Sequence, residues 1–177
     1  MAENLTFLPL DVDEHREFLF AAHRETSRLT FGTTFTDEQI AREIEKERGR
    51  STGVYLGDTI VGICDVETRA IPLHVGSFSE KSSGGGTETL PYGKNNEPPL
   101  GWVHFFYLTP EYRGLGFGAQ LVEHAEKFCR EQGLDKLCLR VGEPNTNARR
   151  FYERCGFVHA PELDKPGEHG FVKEIAL

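Results

Sequence analysis

Hydrophobic residues recur along the chain at two spacings, one typical of strands and one typical of helices. The stretch LTFLPL at residues 5–10 alternates with a period of two and predicts a short edge strand. From Asp11, a good N-cap residue, apolar positions at helical spacing predict a first helix that runs to about Ser27. A capping-box pattern that begins at Thr36 predicts a second, amphipathic helix that ends at Gly49.

A hairpin and a long loop follow these helices. Residues 53–67 contain two β-branched runs on either side of Gly57-Asp58, which predict two antiparallel strands joined by a tight turn. Residues 69–101 are rich in Pro, Gly and Ser and carry too little apolar content for a second core. We therefore predict one domain over residues 1–177, in which 69–101 is a loop insert between strands 3 and 4. Its composition is compatible with an ordered lid and with a disordered segment.

The aromatic run WVHFFYL at residues 102–108 predicts a buried strand. In an ideal strand one face of this run carries Trp102, His104, Phe106 and Leu108, and the other carries Val103, Phe105 and Tyr107. A glycine-containing turn, a helix over 117–132 and a strand over 134–141 come next. Asn145 or Thr146 is then placed to cap a short helix, and FVHA and EHGFVKEIAL predict the last two strands.

The composition narrows the class of protein. A length of 177 residues suits one domain, and the formal net charge of −8 argues against nonspecific nucleic-acid binding. The sequence has no apolar run of membrane-spanning length and no basic-then-apolar leader, so we expect a soluble, cytoplasmic protein with no membrane contact. The four cysteines stand far apart and are expected to be reduced and buried. The seven histidines are dispersed, which predicts no metal site.

The first chemical signal is the turn Arg113-Gly114-Leu115-Gly116-Phe117-Gly118. Its glycines let the backbone approach a ligand, and the helix that follows offers unpaired N–H groups and a positive dipole end, so the turn predicts a phosphate or pyrophosphate site. A Walker loop would end in Gly-Lys-Ser or Gly-Lys-Thr, which is absent. A dinucleotide site would need an acidic residue at a strand end, whereas Asp135 falls in a connection.

Two motifs together resemble the GNAT superfamily of acyl-CoA N-acyltransferases. The turn matches R-x-x-G-x-G, and residues 145–157 match N-x-x-A-x-x-x-Y-x-x-x-G-F. The resemblance covers residues 100–160 and implies an α/β fold of the α+β type, in which helices flank a central, mixed and mostly antiparallel sheet that is split between strands 4 and 5. It also implies acetyl-CoA as the cosubstrate, no metal, and direct transfer of the acetyl group to a primary amine in a ternary complex.

The resemblance implies two catalytic residues. Tyr152 would protonate the departing CoA thiolate, because a phenol is a proton donor at neutral pH. His104 would accept the proton of the amine, with Glu67 acting through a water as the second choice. Asp65 and Glu67 are also candidates to face the acceptor, although a solvated strand end is the commoner reason for such acids.

The resemblance further implies which residues hold the cosubstrate. Main-chain groups of Phe106, Tyr107 and Leu108 would lie against the thioester and pantetheine. The backbone of residues 113–118 and the Arg113 guanidinium would contact the pyrophosphate, and Asn145 would contact the pantetheine or its neighbourhood.

Two alternatives remain at this point. A noncatalytic acyl-CoA-binding or sensing module would keep the fold and the loop without turnover. A nucleotide-binding protein of another fold would use only the glycine turn, and the second motif argues against it. The expected acceptor is a small-molecule or peptide amine, and the net negative charge of the chain favours a cationic one. A homodimer is the expected assembly of such a family.

Overall fold

A computed structural model describes residues 4–70 and 99–177, which form one mixed sheet with helices on both faces. Within these residues the strands are β1 (Thr6–Pro9), β2 (Thr52–Leu56), β3 (Thr59–Arg69), β4 (Leu100–Leu108), β5 (Lys136–Gly142), β6 (Val158–His159) and β7 (Glu168–Glu174). The helices are α1 (Arg16–Phe31), α2 (Asp37–Glu47), α3 (Phe117–Glu131) and α4 (Thr146–Arg154). None of these helices is both long and apolar enough to cross a bilayer.

The strand order is β1-β2-β3-β4-β5-β7-β6. Neighbouring strands are antiparallel except for β4 and β5, which are parallel. The mixed and mostly antiparallel sheet that the sequence predicted is therefore confirmed. The predicted bounds of the insert, 69–101, were too wide, because Arg69 belongs to β3 and Leu100 begins β4. Residues 71–98 of the insert lie outside the described residues.

The two N-terminal helices agree with the sequence prediction to different degrees. The capping box of α2 is present, since the Thr36 and Gln39 side chains each accept a hydrogen bond from the other residue's backbone N–H. Helix α1, by contrast, begins after a turn in which the Asp11 carboxylate accepts from two backbone N–H groups. It also runs to Phe31, four residues beyond Ser27, and ends where Gly32 adopts a left-handed conformation.

The core lies in two layers, one on each face of the sheet. Helices α1 and α2 bury Leu19, Ile40 and Ile44 against the face that carries Phe105 and Tyr107. Helices α3 and α4 pack on the opposite face, which carries Val103 and Phe106. Each fully buried Leu or Ile contributes about 1.5–3 kcal/mol relative to an exposed side chain, so these layers fix the helices on the sheet.

A bulge in β4 changes which side chains share a face. Asp65 of β3 lies opposite Phe105 and Val66 lies opposite Val103, so His104 has no partner on β3. Because one residue is inserted, the alternation shifts by one position after His104. Val103 therefore faces the same layer as Phe106, and the prediction that His104 and Phe106 share a face was wrong.

Strands β4 and β5 separate soon after they meet. In the part of the chain that the structure describes, they pair only at Gly101 with Leu137 and at Trp102 with Cys138. Beyond Trp102, the edge of β4 that faces β5 keeps unpaired backbone groups. The predicted split between strands 4 and 5 is thus confirmed, and it opens the sheet next to the bulge.

Candidate active site

The glycine turn lies at the end of β4 and leads directly into α3. After a short 3₁₀ turn at Pro110–Tyr112, Gly114 and Gly116 adopt φ angles of 75° and 91°, which L residues with a Cβ rarely adopt. A Cβ added at either glycine would meet no atom within 4 Å, so both face open space. At the start of α3 the Ala119 N–H donates to the Gly116 carbonyl at 3.1 Å, and the N–H groups of Phe117 and Gly118 precede this first bond of the helix. The turn is therefore an open, N–H-rich cradle of the kind that holds a phosphate group.

The third glycine of the motif has a different role. A Cβ at Gly118 would lie 2.9 Å from the Phe151 ring of α4. Gly118 is thus required for the close approach of α3 to α4, which the sequence analysis did not foresee. The two apolar residues of the turn also differ in burial. Phe117 is buried against Tyr112, with 6.1 Å between ring centroids, whereas Leu115 is 65% exposed.

The Arg113 side chain is already engaged by the protein. Its Nε donates to the Leu108 carbonyl at 2.8 Å, and its Nη1 donates to Glu25 of α1 at 2.7 Å. The other oxygen of the Glu25 carboxylate accepts from the Tyr107 hydroxyl at 2.9 Å. Burial acts to raise the pKa of Glu25, but the hydrogen bonds from Arg113 and Tyr107 outweigh it and lower the pKa. Arg113 therefore holds the turn in place, and the backbone is the main candidate for the pyrophosphate contact.

The three predicted residues at the end of β4 point in alternate directions. Tyr107 faces α1, while the half-buried Phe106 faces α3 and α4 and lies 6.5 Å from the Tyr152 ring centroid. Leu108 is buried with Phe117 and Leu121 near the start of α3. Their backbone lies at the split between β4 and β5, which is the position that the sequence predicted for the thioester contact.

Tyr152 lies on α4 and is 9% exposed. Its ring packs edge-on against Phe157 at 5.4 Å between centroids. Burial raises the pKa of its hydroxyl well above the ordinary value, so the group stays protonated at neutral pH. No group within residues 4–70 and 99–177 forms a hydrogen bond with this hydroxyl. The phenol is thus a protonated donor with no protein acceptor among the described residues.

Asn145 is the N-cap of α4, whereas the sequence had left the choice between Asn145 and Thr146 open. Its Oδ1 accepts from the Ala148 backbone N–H at 3.2 Å. The oxygen is therefore used within the protein, and the side-chain amide nitrogen is the group left to meet a ligand. Contact of Asn145 with pantetheine remains a prediction.

His104 lies in a separate pocket on the α2 side of the sheet. The pocket is lined by Glu47, Arg50, Ser51, Asp65, Val66, Glu67 and His104. The bulge exposes the His104 side chain between the buried residues Val103 and Phe105. The structure therefore places His104 and Tyr152 on opposite sides of β4, with the split between β4 and β5 next to both.

Asp65 is buried beside this pocket and is 7% exposed, which corrects the expectation of a solvated strand end. Its carboxylate accepts from the Ser51 hydroxyl at 2.8 Å and from the Thr52 backbone N–H at 2.7 Å. Burial is the largest influence on the group and raises its pKa to about 7. Asp65 is thus poised to change its charge near neutral pH.

A buried contact between a histidine and a glutamate, which the sequence analysis missed, lies next to Asp65. His23 of α1 contacts Glu47 of α2, with 3.1 Å between Nε2 and Oε1, and its ring stacks on Phe105 at 4.8 Å. Both side chains occupy core-facing positions of their helices. A titratable residue at an apolar helical position was the available signal, since such a residue needs a buried partner.

Known proteins resemble this chain both in sequence and in fold. A family model described as the Acetyltransferase (GNAT) family matches residues 15–157. Mycothiol acetyltransferase from Thermobispora bispora is 42% identical over 72 residues, which are 41% of this chain and 24% of that protein. Spermine/spermidine N(1)-acetyltransferase from Bacillus subtilis strain 168 is 31% identical over 88 residues, which are 48% of this chain and 56% of that protein. The match thus spans 24% of the mycothiol acetyltransferase and 56% of the spermine/spermidine acetyltransferase.

Solved structures share the fold over nearly the whole chain. The crystal structure of the PaiA N-acetyltransferase from Thermoplasma acidophilum in complex with coenzyme A has a TM-score of 0.61 and 18% sequence identity. The alignment covers 97% of this chain and 99% of that one. At this identity the likeness establishes the fold, including the N-terminal half, to which the sequence motifs do not extend.

Proposed function

The chain belongs to the GNAT acetyltransferase family, and we propose that it transfers an acetyl group from acetyl-CoA to a primary amine by direct attack in a ternary complex. The observation that carries this proposal is the separation of β4 from β5 after Trp102, beside the open cradle at Gly114 and Gly116. In this proposal the separated strands receive the pantetheine arm and the glycine turn receives its pyrophosphate. Acetyl-CoA supplies the activated acyl group when it is bound there.

Backbone groups are the proposed oxyanion stabilisers. Within residues 4–70 and 99–177, the β5-facing edge of β4 beyond Trp102 has no strand partner, so its N–H groups are available to a carbonyl that develops negative charge. These groups are rigid, because β4 is hydrogen-bonded along its other edge to β3. A pre-oriented donor costs little reorganisation when the charge develops.

Tyr152 is the proposed general acid. Its hydroxyl is protonated across the neutral range, because burial raises its pKa. Its contact with Phe106 places the ring beside the split strand. Donation of this proton to the departing sulfur would avoid release of a free thiolate, and acid catalysis of this kind contributes about 10²–10⁴-fold in rate.

His104 is the proposed general base, with Glu67 acting through a water as the alternative. Both side chains line the pocket on the α2 side of β4, so an amine in this pocket would reach the split from the side opposite Tyr152. A positioned base is needed because an alkylamine with a pKa of about 10 is almost wholly charged at neutral pH.

The cysteines support direct attack over a cysteine-bound intermediate. Cys64, Cys129 and Cys138 are buried, and burial raises the thiol pKa to about 11 at Cys129 and to about 12 at Cys138. Burial also raises the pKa of the half-buried Cys155. A thiol is a good nucleophile only as thiolate, so none of these four groups is activated.

The charge of the pocket supports a cationic acceptor. Three of the described residues that line it carry carboxyl groups, Glu47, Asp65 and Glu67, and one is an arginine, Arg50. Glu47 is buried against His23 and the pKa of Asp65 is about 7, so the more exposed Glu67 is the carboxylate that best meets a cation. Arg50 lies at the outer limit of an ion pair with Glu67, at 4.0 Å. A polyamine-like amine, whose second charge would meet Glu67, fits better than a neutral amine, and one relative is named for spermine and spermidine.

The test begins with calorimetric titration of acetyl-CoA, with ATP and NAD as controls, followed by a thiol-release assay on a panel of mono-, di- and polyamines. We expect micromolar binding of acetyl-CoA alone, and turnover that is faster with di- and polyamines than with neutral amino compounds. Binding without turnover on any amine would instead support a noncatalytic acyl-CoA-binding module. Heat from a control nucleotide and none from acetyl-CoA would contradict the assignment of the glycine turn.

A further inference from the structure

Three potential metal ligands meet at the C-terminal edge of the sheet. His159 lies on β6, Asp164 lies in the connection that follows, and His169 lies on β7. The His159 Nε2 is 3.0 Å from Asp164 Oδ1, and the His169 Nδ1 is 3.8 Å from Asp164 Oδ2. One ligand atom from each of the three residues lies within 4.8 Å of the other two. The three groups are all accessible to solvent, so an ion could reach them.

The hairpin fixes these groups by its register and by backbone hydrogen bonds. His159 is opposite Phe171 on β7, which places His169 two residues away along the same strand. The Asp164 carboxylate accepts from the Gly170 backbone N–H at 2.7 Å, which orients it towards both imidazoles. Leu163, next to Asp164, is buried with Trp102 and Ala160. The ligand set is therefore carried by an ordered part of the fold.

The donor chemistry is that of a first-row transition-metal ion. Two imidazole nitrogens and one carboxylate oxygen suit Zn²⁺ and similar ions, which bind such atoms at about 2.0–2.2 Å. Ligand atoms at that distance around a tetrahedral ion lie about 3.4 Å apart. The distance from His159 Nε2 to Asp164 Oδ1 is 3.0 Å and that from His169 Nδ1 to Asp164 Oδ2 is 3.8 Å, so one is shorter and one is longer than this spacing. Small side-chain rotations would therefore bring all three atoms to an ion, with a position left for water.

The local charge is compatible with a cation. Arg140 of β5 is a cation of another element that interacts electrostatically with Asp164. Its guanidinium donates to the Leu163 carbonyl and lies 4.8 Å over the Trp102 ring, so it is directed towards groups other than the Asp164 carboxylate.

We propose that His159, Asp164 and His169 form a binding site for one divalent transition-metal ion per chain, tested with Zn²⁺, which ties the β6–β7 hairpin together. The site is separate from the residues that we propose for acetyl transfer. Its ion stabilises the C-terminal part of the sheet and takes no part in the reaction. This proposal departs from the absence of a metal site that the dispersed histidines predicted, because ligands five positions apart come together only in the hairpin.

The experiment is a calorimetric titration of chelator-treated, untagged protein with ZnCl₂ at pH 7.5, together with thermal unfolding with and without Zn²⁺. We expect about one Zn²⁺ per chain and a higher Tm when the ion is present, since a ligand of the folded state stabilises it. The test variants are Asp164→Asn, which keeps the acceptor for Gly170, and His159→Gln. Each should weaken binding at least tenfold and abolish the shift in Tm.

Glu162→Gln is the matched control, because Glu162 is an exposed acid of the same connection that lies outside the ligand set. It should leave Zn²⁺ binding within twofold of the wild type. The proposal is overturned if wild-type protein binds no Zn²⁺, if Asp164→Asn and His159→Gln bind it as well as the wild type does, or if Glu162→Gln weakens binding as much as Asp164→Asn. All three results are independent of acetyl-CoA binding and turnover, so they leave the proposed activity to its own test.

Discussion

The Glu25 carboxylate accepts a hydrogen bond from the Arg113 guanidinium at 2.7 Å, which joins α1 to the turn before α3. The two residues are 88 positions apart in the sequence. Helix α1 lies on the face where we place the acceptor, and the turn is the proposed pyrophosphate site. The pair therefore links the two halves of the proposed active site.

The first prediction concerns this link. Glu25→Gln should raise the KM for acetyl-CoA about threefold to tenfold with little change in kcat, because a charge-assisted hydrogen bond contributes about 1.5–3 kcal/mol before solvent screening reduces it. Steady-state kinetics at saturating amine would measure this change. Glu17→Gln, an exposed acid in the first turn of the same helix, is the control and should leave the KM unchanged. An unchanged KM in Glu25→Gln would mean that the ion pair between Glu25 and Arg113 does not shape the turn for acetyl-CoA.

The second prediction concerns the phosphate cradle. Gly116→Ala should weaken acetyl-CoA binding more than tenfold, because the Cβ would enter the open space at the start of α3 and would strain a residue at φ 91°. Calorimetric titration gives the affinity. Gly49→Ala is a matched control, since it combines a φ of 74° with open space outside the turn. Equal losses of affinity in the two variants would mean that backbone strain alone, and not the cradle, explains the effect.

The third prediction concerns proton donation. Tyr152→Phe keeps the ring contacts with Phe106 and Phe157 and removes only the hydroxyl. We expect kcat to fall about 10²-fold or more while acetyl-CoA affinity stays within twofold. Tyr55→Phe, which removes a hydroxyl hydrogen-bonded to His15, serves as the comparison. A wild-type kcat in Tyr152→Phe would show that the thiolate leaves without this acid.

The fourth prediction separates the two candidate bases. His104→Gln should lower kcat/KM for the amine about 10²-fold and shift the rate profile to higher pH, where more of the amine is already neutral. Glu67→Gln should have a smaller effect if Glu67 only attracts the cation. His124→Gln, at a histidine stacked on Phe7 outside the pocket, controls for the loss of an imidazole. A larger loss in Glu67→Gln than in His104→Gln would reverse the assignment of base.

The fifth prediction follows from the raised pKa of Asp65. Its pKa is about 7 in the folded protein against 3.8 ordinarily, so the folded state holds this proton more tightly than the unfolded state. Stability from this group is therefore full below pH 3.8 and is lost as pH rises to about 7. At about 1.4 kcal/mol per pKa unit, the loss is at most about 4 kcal/mol.

Asp65→Asn tests this pH dependence. The variant keeps an oxygen for the Thr52 N–H and a polar group for Ser51 but carries no titrating charge. Urea unfolding at pH 5 and pH 8 should show that wild type loses more stability than Asp65→Asn over this range. Ser51→Ala, which removes one hydrogen bond and keeps the carboxyl group, should retain the wild-type direction. Parallel pH profiles for wild type and Asp65→Asn would contradict the assignment.

Much of the fold and part of the candidate site followed from local signals in the sequence. The capping box at Thr36, the hairpin at Gly57-Asp58 and the N-cap at Asn145, one of the two candidate caps, form as predicted, because each depends on residues within a few positions of one another. The glycine turn is similar, since the left-handed conformations of Gly114 and Gly116 are a local property. Local interactions thus determined these caps and turns, including the turn that we propose as the phosphate site.

Tertiary structure decided the features that depend on distant residues. The bulge that reorients His104 arises from the pairing of β4 with β3, and Asp65 meets Ser51 and Thr52 because β2 pairs with β3. Likewise, Glu25 meets Arg113, and His159 meets His169, only because the sheet brings their elements together. Periodicity and composition carry no information on such long-range contacts. The sequence by itself therefore determined the elements and the family's motifs, and the packing of the sheet determined which charged groups face one another.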